Sequence, residues 1–277
     1  MGLRINTNLA SLSAQRVLDV NKGAATKSMM RLSSGDRITS AGDDAAGLSI
    51  SERLRGQIRS QKQAERNSND AISLVQVAEG GLSEVSNNLI RMRELAVQAA
   101  SDTIGDRERG FVDQEVQALK SEVDRVADHT NFNGTKLLNG QNDKAELSIQ
   151  VGSFNVPSDQ IGIAINTYNT KTDNIGIDST HVRDIDSARS ALEQVDSALD
   201  KVNSFRADFG AMQNRLTSTS NGLLNDIEGL SAANSRIRDT DIAEESAELV
   251  KQNILNTASI AVLSQANQLP TQALKLL

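Results

Sequence analysis

The side chains best suited to chemistry are few and widely separated in this sequence of 277 residues. No cysteine is present, which excludes a disulfide framework, a thiolate–zinc site and a cysteine nucleophile. His129 lacks a histidine or glutamate at metal-ligand spacing and His181 precedes a predicted helix, so both are interpreted as surface or capping residues. Asp43 and Asp44 would point about 100° apart on a helix, and they cannot converge as catalytic carboxylate pairs do. We predict no catalytic residue, no cofactor and no metal.

The remaining motif search favours a non-enzymatic protein. Phosphate-binding loops, dinucleotide-binding glycine patterns, the GxSxG elbow and His-Glu-x-x-His are all missing. The run of residues 40–44 indicates a helix start with an acid-rich first turn. Asn133-Gly134-Thr135 fits a glycosylation triplet, but Asn-Gly favours a turn more strongly. A net charge of −7 disfavours general nucleic-acid binding, and no stretch is apolar enough to span a bilayer.

Long amphipathic helices must position whatever functional surface exists. Aromatic residues make up 2% of the chain, so Leu, Ile, Val and Ala have to build the core. Steps of three and four residues, typical of coiled coils and bundles, mark three seams. The seams are Ala71, Val75, Ala78, Leu82, Val85, Leu89, Met92, Ala96, Ala99; Val112, Val116, Leu119, Val123, Val126; and Ile185, Ala188, Leu192, Val195, Leu199, Val202, Phe209, Met212, Leu216. A helix over residues 44–100 would be roughly 85 Å long, which predicts a rod.

Three interruptions refine this mainly α prediction of long antiparallel helices. Turn and capping residues at 101–106 predict a chain reversal. Gly80-Gly81 keeps the phase of its seam and is interpreted as a close-packing point. Alternating apolar residues at 147–151 and 161–165 predict a small β-hairpin at about 140–178.

The two ends of the chain are apolar and weakly charged, although chain ends are usually polar. We predict that they form a two-helix terminal hairpin whose apolar side chains are buried only on assembly, since exposed patches of this kind mark interaction sites. The predicted assembly residues are Ile5, Leu9, Leu12, Ile254, Val262 and Leu263.

Charge suggests how the two ends pair. Residues 1–35 carry five basic side chains against one acidic, whereas residues 239–248 are strongly acidic. In an antiparallel hairpin, Lys27 and Arg31 would face Glu248 and Glu244. The alternative, in which these charges only solvate two helices, stays open.

Several motifs in a fixed order carry a resemblance to a known family. They are INTN at 5–8, RLSSG at 31–35, DDAAGL at 43–48, RMRELAVQ at 91–98, NFNGTKLL at 131–138, GAMQNRL at 210–216, SRIRD at 235–239 and QANQ at 265–268. The sequence resembles bacterial flagellins of a short form that lacks the large outer domains. Small departures are Asp36, where an apolar residue is common, Gly81, where alanine is common, and LPTQ at 269–272.

The resemblance implies an architecture and a function. Residues 1–43 and 236–277 would be the two arms of the inner domain, and residues 44–235 the rod-like helical domain with its hairpin. The protein would be a structural subunit that assembles noncovalently into a hollow helical filament for motility. It would be exported unfolded by the flagellar type III system, without a cleaved signal peptide, and would reside outside the cell.

The resemblance also implies partners. These are further copies of the chain, an export chaperone on residues 247–277, and hook-associated and cap proteins. A patch for protofilament stacking, read also by the Toll-like flagellin receptor, would comprise Arg91, Leu95 and Glu115. No nucleic acid or membrane is expected. Three alternatives stay open: a hook–filament junction protein, which would need only a few copies; an enzyme; and a membrane translocator with amphipathic ends.

Overall fold

The computed structural model describes residues 7–142 and 145–274. It confirms a mainly α fold with small antiparallel strand pairs. The helices are α1 (Leu9–Ser34), α2 (Ala45–Ala99), α3 (Asp106–His129), α4 (Thr172–Ile175), α5 (Ile185–Arg238) and α6 (Ile242–Leu274). The strands are β1 (Asn131–Phe132), β2 (Thr135–Lys136), β3 (Leu147–Gln150) and β4 (Gln160–Ile163), with short 3-10 turns at Pro157–Asp159 and Ile165–Thr167.

The chain divides into two compact units. The terminal unit contains the described residues up to Ile58 and those from Glu228 onward, and the central unit is Arg59–Ile227. Both boundaries between the units therefore fall inside long helices, α2 and α5. The divisions expected after residue 43 and before residue 236 instead lie near helix ends, since α2 begins at Ala45 and α5 ends at Arg238.

The core of the central unit follows the predicted seams. All nine seam residues of α2 are buried, and six of them, among them Leu82 and Leu89, have no exposed surface beyond rounding. On α5, Ala191 and Ala198 are buried as deeply as the seam valines, whereas the neighbouring seam residues Leu192 and Leu199 are only partly buried. Small residues at the centre of the contact allow the helices to approach closely, and the leucines close its sides.

The predicted reversal between α2 and α3 is confirmed, and Arg109 stabilises it. Its guanidinium is buried and donates from Nε to the carbonyl of Ala99 at 2.9 Å and from Nη2 to that of Ser101 at 3.0 Å. It also pairs with Asp106 at 2.7 Å. Arg109 thereby supplies partners to carbonyls that the end of α2 leaves without helical donors.

Both hairpins follow their sequence signals. Asn133 and Gly134 have φ of 48° and 81° and join β1 to β2, as expected for a two-residue turn with positive φ at both positions, so the turn interpretation is confirmed. In the β3–β4 pair, Leu147 lies opposite Ile163 and Ile149 lies opposite Ile161. The predicted hairpin is confirmed, although both strands end before their expected last residues.

Candidate assembly surface

Helices α1 and α6 form an antiparallel pair at the ends of the described chain. The Asn8 amide donates to the carbonyl of Ala266 at 2.8 Å, and at the other end of α1 Arg31 reaches Glu245 at 3.5 Å. Further polar contacts between the helices join Ser11 to Asn267 at 2.8 Å and Asn21 to Ser259 at 3.1 Å. Asn8 also caps α1 by accepting from the Ser11 N–H.

Small and polar residues fill the contact between α1 and α6. The buried side chains described on these two helices are Ser11, Ala14, Ser28, Glu245, Ser259 and Ala266. Buried oxygens of Glu245, Gln252 and Asn256 have no hydrogen-bond partner. Burial without a partner costs free energy, and small polar side chains bury little apolar surface. The pair on its own is therefore weakly stabilised.

Most of the large apolar side chains described on these helices are exposed, and none is fully buried in the contact. We call this exposed set the outward face. Its members are Leu9, Leu12, Val17, Val20, Met29 and Met30 on α1, and Ile242, Val250, Ile254, Leu255, Ile260 and Val262 on α6. Leu12 is 61% exposed and Ile254 is 64% exposed. An apolar surface of this extent is typical of an interaction site.

The predicted assembly residues lie mostly on this face. Leu9, Leu12, Ile254 and Val262 all belong to the outward face. Leu263 is half-buried. Ile5 lies outside the described residues.

The ion pair of Arg31 differs by one position from the expected one. Its partner is Glu245, whose side chain is largely buried, and not Glu244. One residue along a helix rotates the side chain by about 100°, so only one of two adjacent glutamates can face α1. The antiparallel arrangement is as expected, and the register between the two helices decides which glutamate pairs.

Lys27 also has a different partner from the expected one. Its ammonium contacts Asp43 at 2.5 Å, because the segment after α1 returns alongside that helix. The carboxylate of Glu248, the expected partner, pairs instead with Lys251 on its own helix at 3.1 Å.

Asp43 and Asp44 organise the segment before α2. The Asp43 carboxylate accepts from the N–H groups of Thr39 at 3.3 Å and Ser40 at 3.1 Å, and from both hydroxyls. The Lys27 ammonium and then the Thr39 hydroxyl hold the pKa of Asp43 well below its usual range. Asp44 accepts from the Gly47 N–H at 2.9 Å, so the interpretation of this run as a helix start is confirmed. Both acidic residues precede Ala45, however, so the expected acid-rich first turn is wrong.

Arg238 connects the segments that follow α1 and α5, and sequence reasoning missed it. Asp36 and Asp239 form an antiparallel bridge, and the Arg37 N–H donates to the Arg238 carbonyl at 2.6 Å. The Arg238 guanidinium contacts Asp36 at 3.1 Å and Glu52 at 2.8 Å. Asp36, noted as a departure from the family pattern, was the only sequence signal for this contact.

The residues predicted for stacking and receptor binding are only partly together on the surface. The exposed Arg91 guanidinium donates to Glu115 at 2.9 and 3.0 Å and to Glu94 at 3.0 Å. Glu94 and Glu115 together raise the pKa of Arg91. Leu95 is 2% exposed and belongs to the hydrophobic core.

Other chemistry finds little support in the described part of the chain. His129 and His181 are exposed. Residues 7–142 and 145–274 contain no cluster of three or more acidic or histidine side chains arranged to hold a metal ion. None of the helices described there combines the length and apolarity needed to cross a membrane.

Comparison with known proteins places both halves of the chain in one family. Residues 5–143 match the bacterial flagellin N-terminal helical region, and residues 192–277 match the bacterial flagellin C-terminal helical region. A flagellin of Halalkalibacterium halodurans is 44% identical over 273 residues, covering 99% of each chain. A flagellin of Bacillus subtilis is 42% identical over 303 residues, covering 99% of this chain and all of the relative.

Solved structures agree with this assignment. A crystal structure of Bacillus cereus flagellin has a TM-score of 0.50 at 31% identity and covers 57% of this chain and 88% of its own. A Vibrio parahaemolyticus protein described as flagellar hook-associated has a TM-score of 0.59 at 14% identity, covers 71% of this chain and all of its own, and supports the fold alone. The chain therefore belongs to the bacterial flagellin family, as a member without a large outer domain.

Proposed function

We propose that copies of this chain join through the outward face and form a hollow flagellar filament for motility, with α1 and α6 packed against those of neighbouring copies. Flagellins are structural proteins and not enzymes, and the flagellar filament lies outside the cell. One observation carries the proposal: the side chains buried between the two terminal helices are small or polar, whereas most of the large apolar side chains of these helices are exposed.

Burial of the outward face would supply the free energy of assembly. Complete burial of one leucine, isoleucine or valine contributes about 1.5–3 kcal/mol, and several such side chains per subunit meet several from its neighbours. If one part of this face meets a different part on the neighbouring copy, the contact is heterologous, and heterologous contacts generate open helical polymers when the rotation does not close into a ring.

A pair of adjacent substitutions on α6 tests this proposal. Ile254→Gln removes an exposed apolar side chain, whereas Asn253→Gln introduces the same side chain at an exposed polar position. We expect Ile254→Gln to raise the critical concentration for seeded polymerisation at least about tenfold. This corresponds to a loss of about 1.4 kcal/mol in the free energy of adding one subunit. Asn253→Gln should change it less than about twofold. Equal critical concentrations for the two variants would contradict the proposal.

The exposed apolar residues of α6 also bear on how the chain is kept apart from other copies before export. We propose that the chain leaves the cell unfolded through the flagellar type III system, without a cleaved signal peptide. A chaperone would cover residues 247–277 before export, since the apolar residues of α6 that are described there, such as Ile254, would otherwise associate prematurely. At the two ends of the filament, the chain would bind hook-associated and cap proteins.

For stacking and receptor recognition we propose Arg91 and Glu115 as the contacting residues, because both are exposed and paired with each other. Leu95, whose side chain is buried, would act by packing α2 against its neighbours. Arg91→Ala should weaken binding to the ectodomain of the Toll-like flagellin receptor and leave the Tyr168 fluorescence signal of the folded central unit unchanged. Unaltered receptor binding would contradict the proposal that Arg91 contacts the receptor.

A further inference from the structure

We infer that Met29 and Met30 form an oxidation site through which peroxide blocks subunit assembly. This inference rests on the proposed function, because it assigns these residues to the outward face. Met29 is 61% exposed and Met30 is 51% exposed on α1, whereas Met92, on the α2 seam, is 1% exposed. Met212 is partly buried and packs against the core of the central unit.

The position of the two residues ties their chemistry to assembly. Met30 and Leu12 are about five turns apart at 3.6 residues per turn, so both project from the same line of α1. Their neighbour Ser28 is buried, whereas both methionines are more than half exposed, so the methionines lie on the solvent side of α1. Methionine is a flexible, polarisable apolar side chain that adapts well to a partner surface.

The reaction balances with hydrogen peroxide alone. The thioether sulfur attacks one peroxide oxygen, an S–O bond forms, the O–O bond breaks and the departing hydroxide takes up a proton to leave as water. Sulfur loses two electrons and peroxide gains them. The product, methionine sulfoxide, is polar, and sulfoxide reductases can reverse its formation.

The sulfoxide opposes assembly because it places a polar oxygen on the face that would be buried in the filament. A buried acceptor without a partner is costly, and the apolar side chains that make up the outward face cannot donate to it. Met92 and Met212 lie in the central unit, where the folded chain shields them to different degrees.

Peptide mapping by mass spectrometry tests the site itself. When folded full-length monomer is treated with millimolar hydrogen peroxide, we expect Met29 and Met30 to oxidise at least about ten times faster than Met92. In sheared filaments the same two residues should be protected. Equal rates for Met29, Met30 and Met92 in the monomer, or unchanged rates in filaments, would overturn the inference.

Seeded polymerisation tests the consequence, measured as the ratio of critical concentrations after and before peroxide treatment. For the natural sequence we expect a ratio of about ten or more, returning towards one after treatment with sulfoxide reductases of both stereospecificities. The double variant Met29→Leu, Met30→Leu should have a ratio near one, whatever its own critical concentration. The control variant Met92→Leu, Met212→Leu should keep the high ratio.

The outcomes separate the two proposals. Untreated protein that fails to elongate seeds would contradict the proposed function and the inference with it. Untreated protein that polymerises, with a ratio near one after Met29 and Met30 are oxidised, would overturn the inference alone. A high ratio in the Met29→Leu, Met30→Leu variant would also overturn it, because the damage would then lie elsewhere.

Discussion

The seam of α2 and the contact between α1 and α6 are both helix–helix contacts, but they bury opposite kinds of side chain. On the α2 seam, Val75, Leu82 and Leu89 have no exposed surface beyond rounding, and Arg93 of the same helix is exposed. In the α1–α6 contact, three serines, two alanines and a glutamate are buried, while most of the large apolar side chains of the two helices are exposed. The same residue types are thus distributed for folding in one unit and for association in the other.

This difference assigns each unit its own source of stability. The central unit gains its stability inside one chain, since its apolar surface is already removed from water. The α1–α6 pair leaves buried oxygens of Gln252 and Asn256 without partners and gains little from apolar burial. Its ordered state should therefore depend on neighbouring subunits, in the way that binding to the folded state shifts a folding equilibrium.

The largest expected effect comes from truncating one leucine to alanine in each of these two contacts. Leu89→Ala creates a cavity on the α2 seam and should lower the free energy of unfolding of the central unit by about 2–5 kcal/mol. Leu12→Ala removes an exposed leucine and should change that quantity by less than about 0.5 kcal/mol, while raising the critical concentration for polymerisation.

Urea unfolding followed by tyrosine fluorescence measures this selectively. Tyr168 is the single tyrosine, the chain has no tryptophan, and the ring is buried in the central unit against Phe209 at a centroid distance of 4.4 Å. If Leu12→Ala shifts the Tyr168 transition as much as Leu89→Ala does, the two contacts are not of different kinds.

The sequence predicted the central unit better than the terminal one, for a physical reason. A buried seam repeats every three to four residues, so the pattern from Ala71 to Ala99 identifies its members directly. The α1–α6 contact is made of small polar residues that have no such period, and its register depends on both helices at once. Glu245 could therefore not be distinguished from Glu244 as the partner of Arg31.

Contacts to irregular segments could not be predicted from the sequence for another reason. Arg109 and Arg238 act on carbonyls or carboxylates that only the folded chain brings near. A single arginine on a helix gives no periodic signal, and its role is set by which chain end or turn lies opposite. The apolar chain ends indicated the assembly residues and the resemblance to flagellins indicated the family, but neither signal indicated these contacts.

The next largest effect concerns a buried polar group that, unlike those in the terminal pair, has its partners. Asp113 is buried, and its carboxylate accepts from the Val182 N–H at 3.1 Å and from the Arg183 guanidinium at 2.9 Å. Burial alone would raise the pKa of Asp113, but these donors outweigh it and hold the pKa below its usual value. Asp113→Asn should lower the free energy of unfolding of the central unit by about 1–3 kcal/mol near neutral pH.

The pH dependence of that loss has a definite sign. Because the folded-state pKa of Asp113 is lowered, its stabilising contribution is complete above the unfolded value of about 3.9. It is lost as the pH falls through the folded-state pKa. The gap between natural sequence and Asp113→Asn should therefore be constant from pH 7 to about 5 and narrow below about pH 4, measured by Tyr168 fluorescence in urea. A gap that widens on acidification would contradict this account of Asp113.

The smallest expected effect separates two adjacent glycines on α2 and tests how tightly the central unit is packed. A methyl group at Gly81 would lie 2.6 Å from the Thr130 hydroxyl and 2.8 Å from a terminal methyl of Leu138, whereas none of the neighbouring atoms comes within 4 Å of one at Gly80. Alanine gains about 1 kcal/mol over glycine in a helix interior, so Gly80→Ala should stabilise by that amount.

At Gly81 the same gain meets overpacking, which typically costs about 1–3 kcal/mol. Gly81→Ala should therefore lower the free energy of unfolding by up to about 2 kcal/mol, because the stiff Thr130 side chain cannot turn away as easily as Leu138. The two variants make the same chemical change one residue apart. The difference between their free energies of unfolding therefore reports packing. Stabilisation by both alanines would mean that the helices of the central unit part readily at this point, and that its contacts are looser than the buried α2 seam implies.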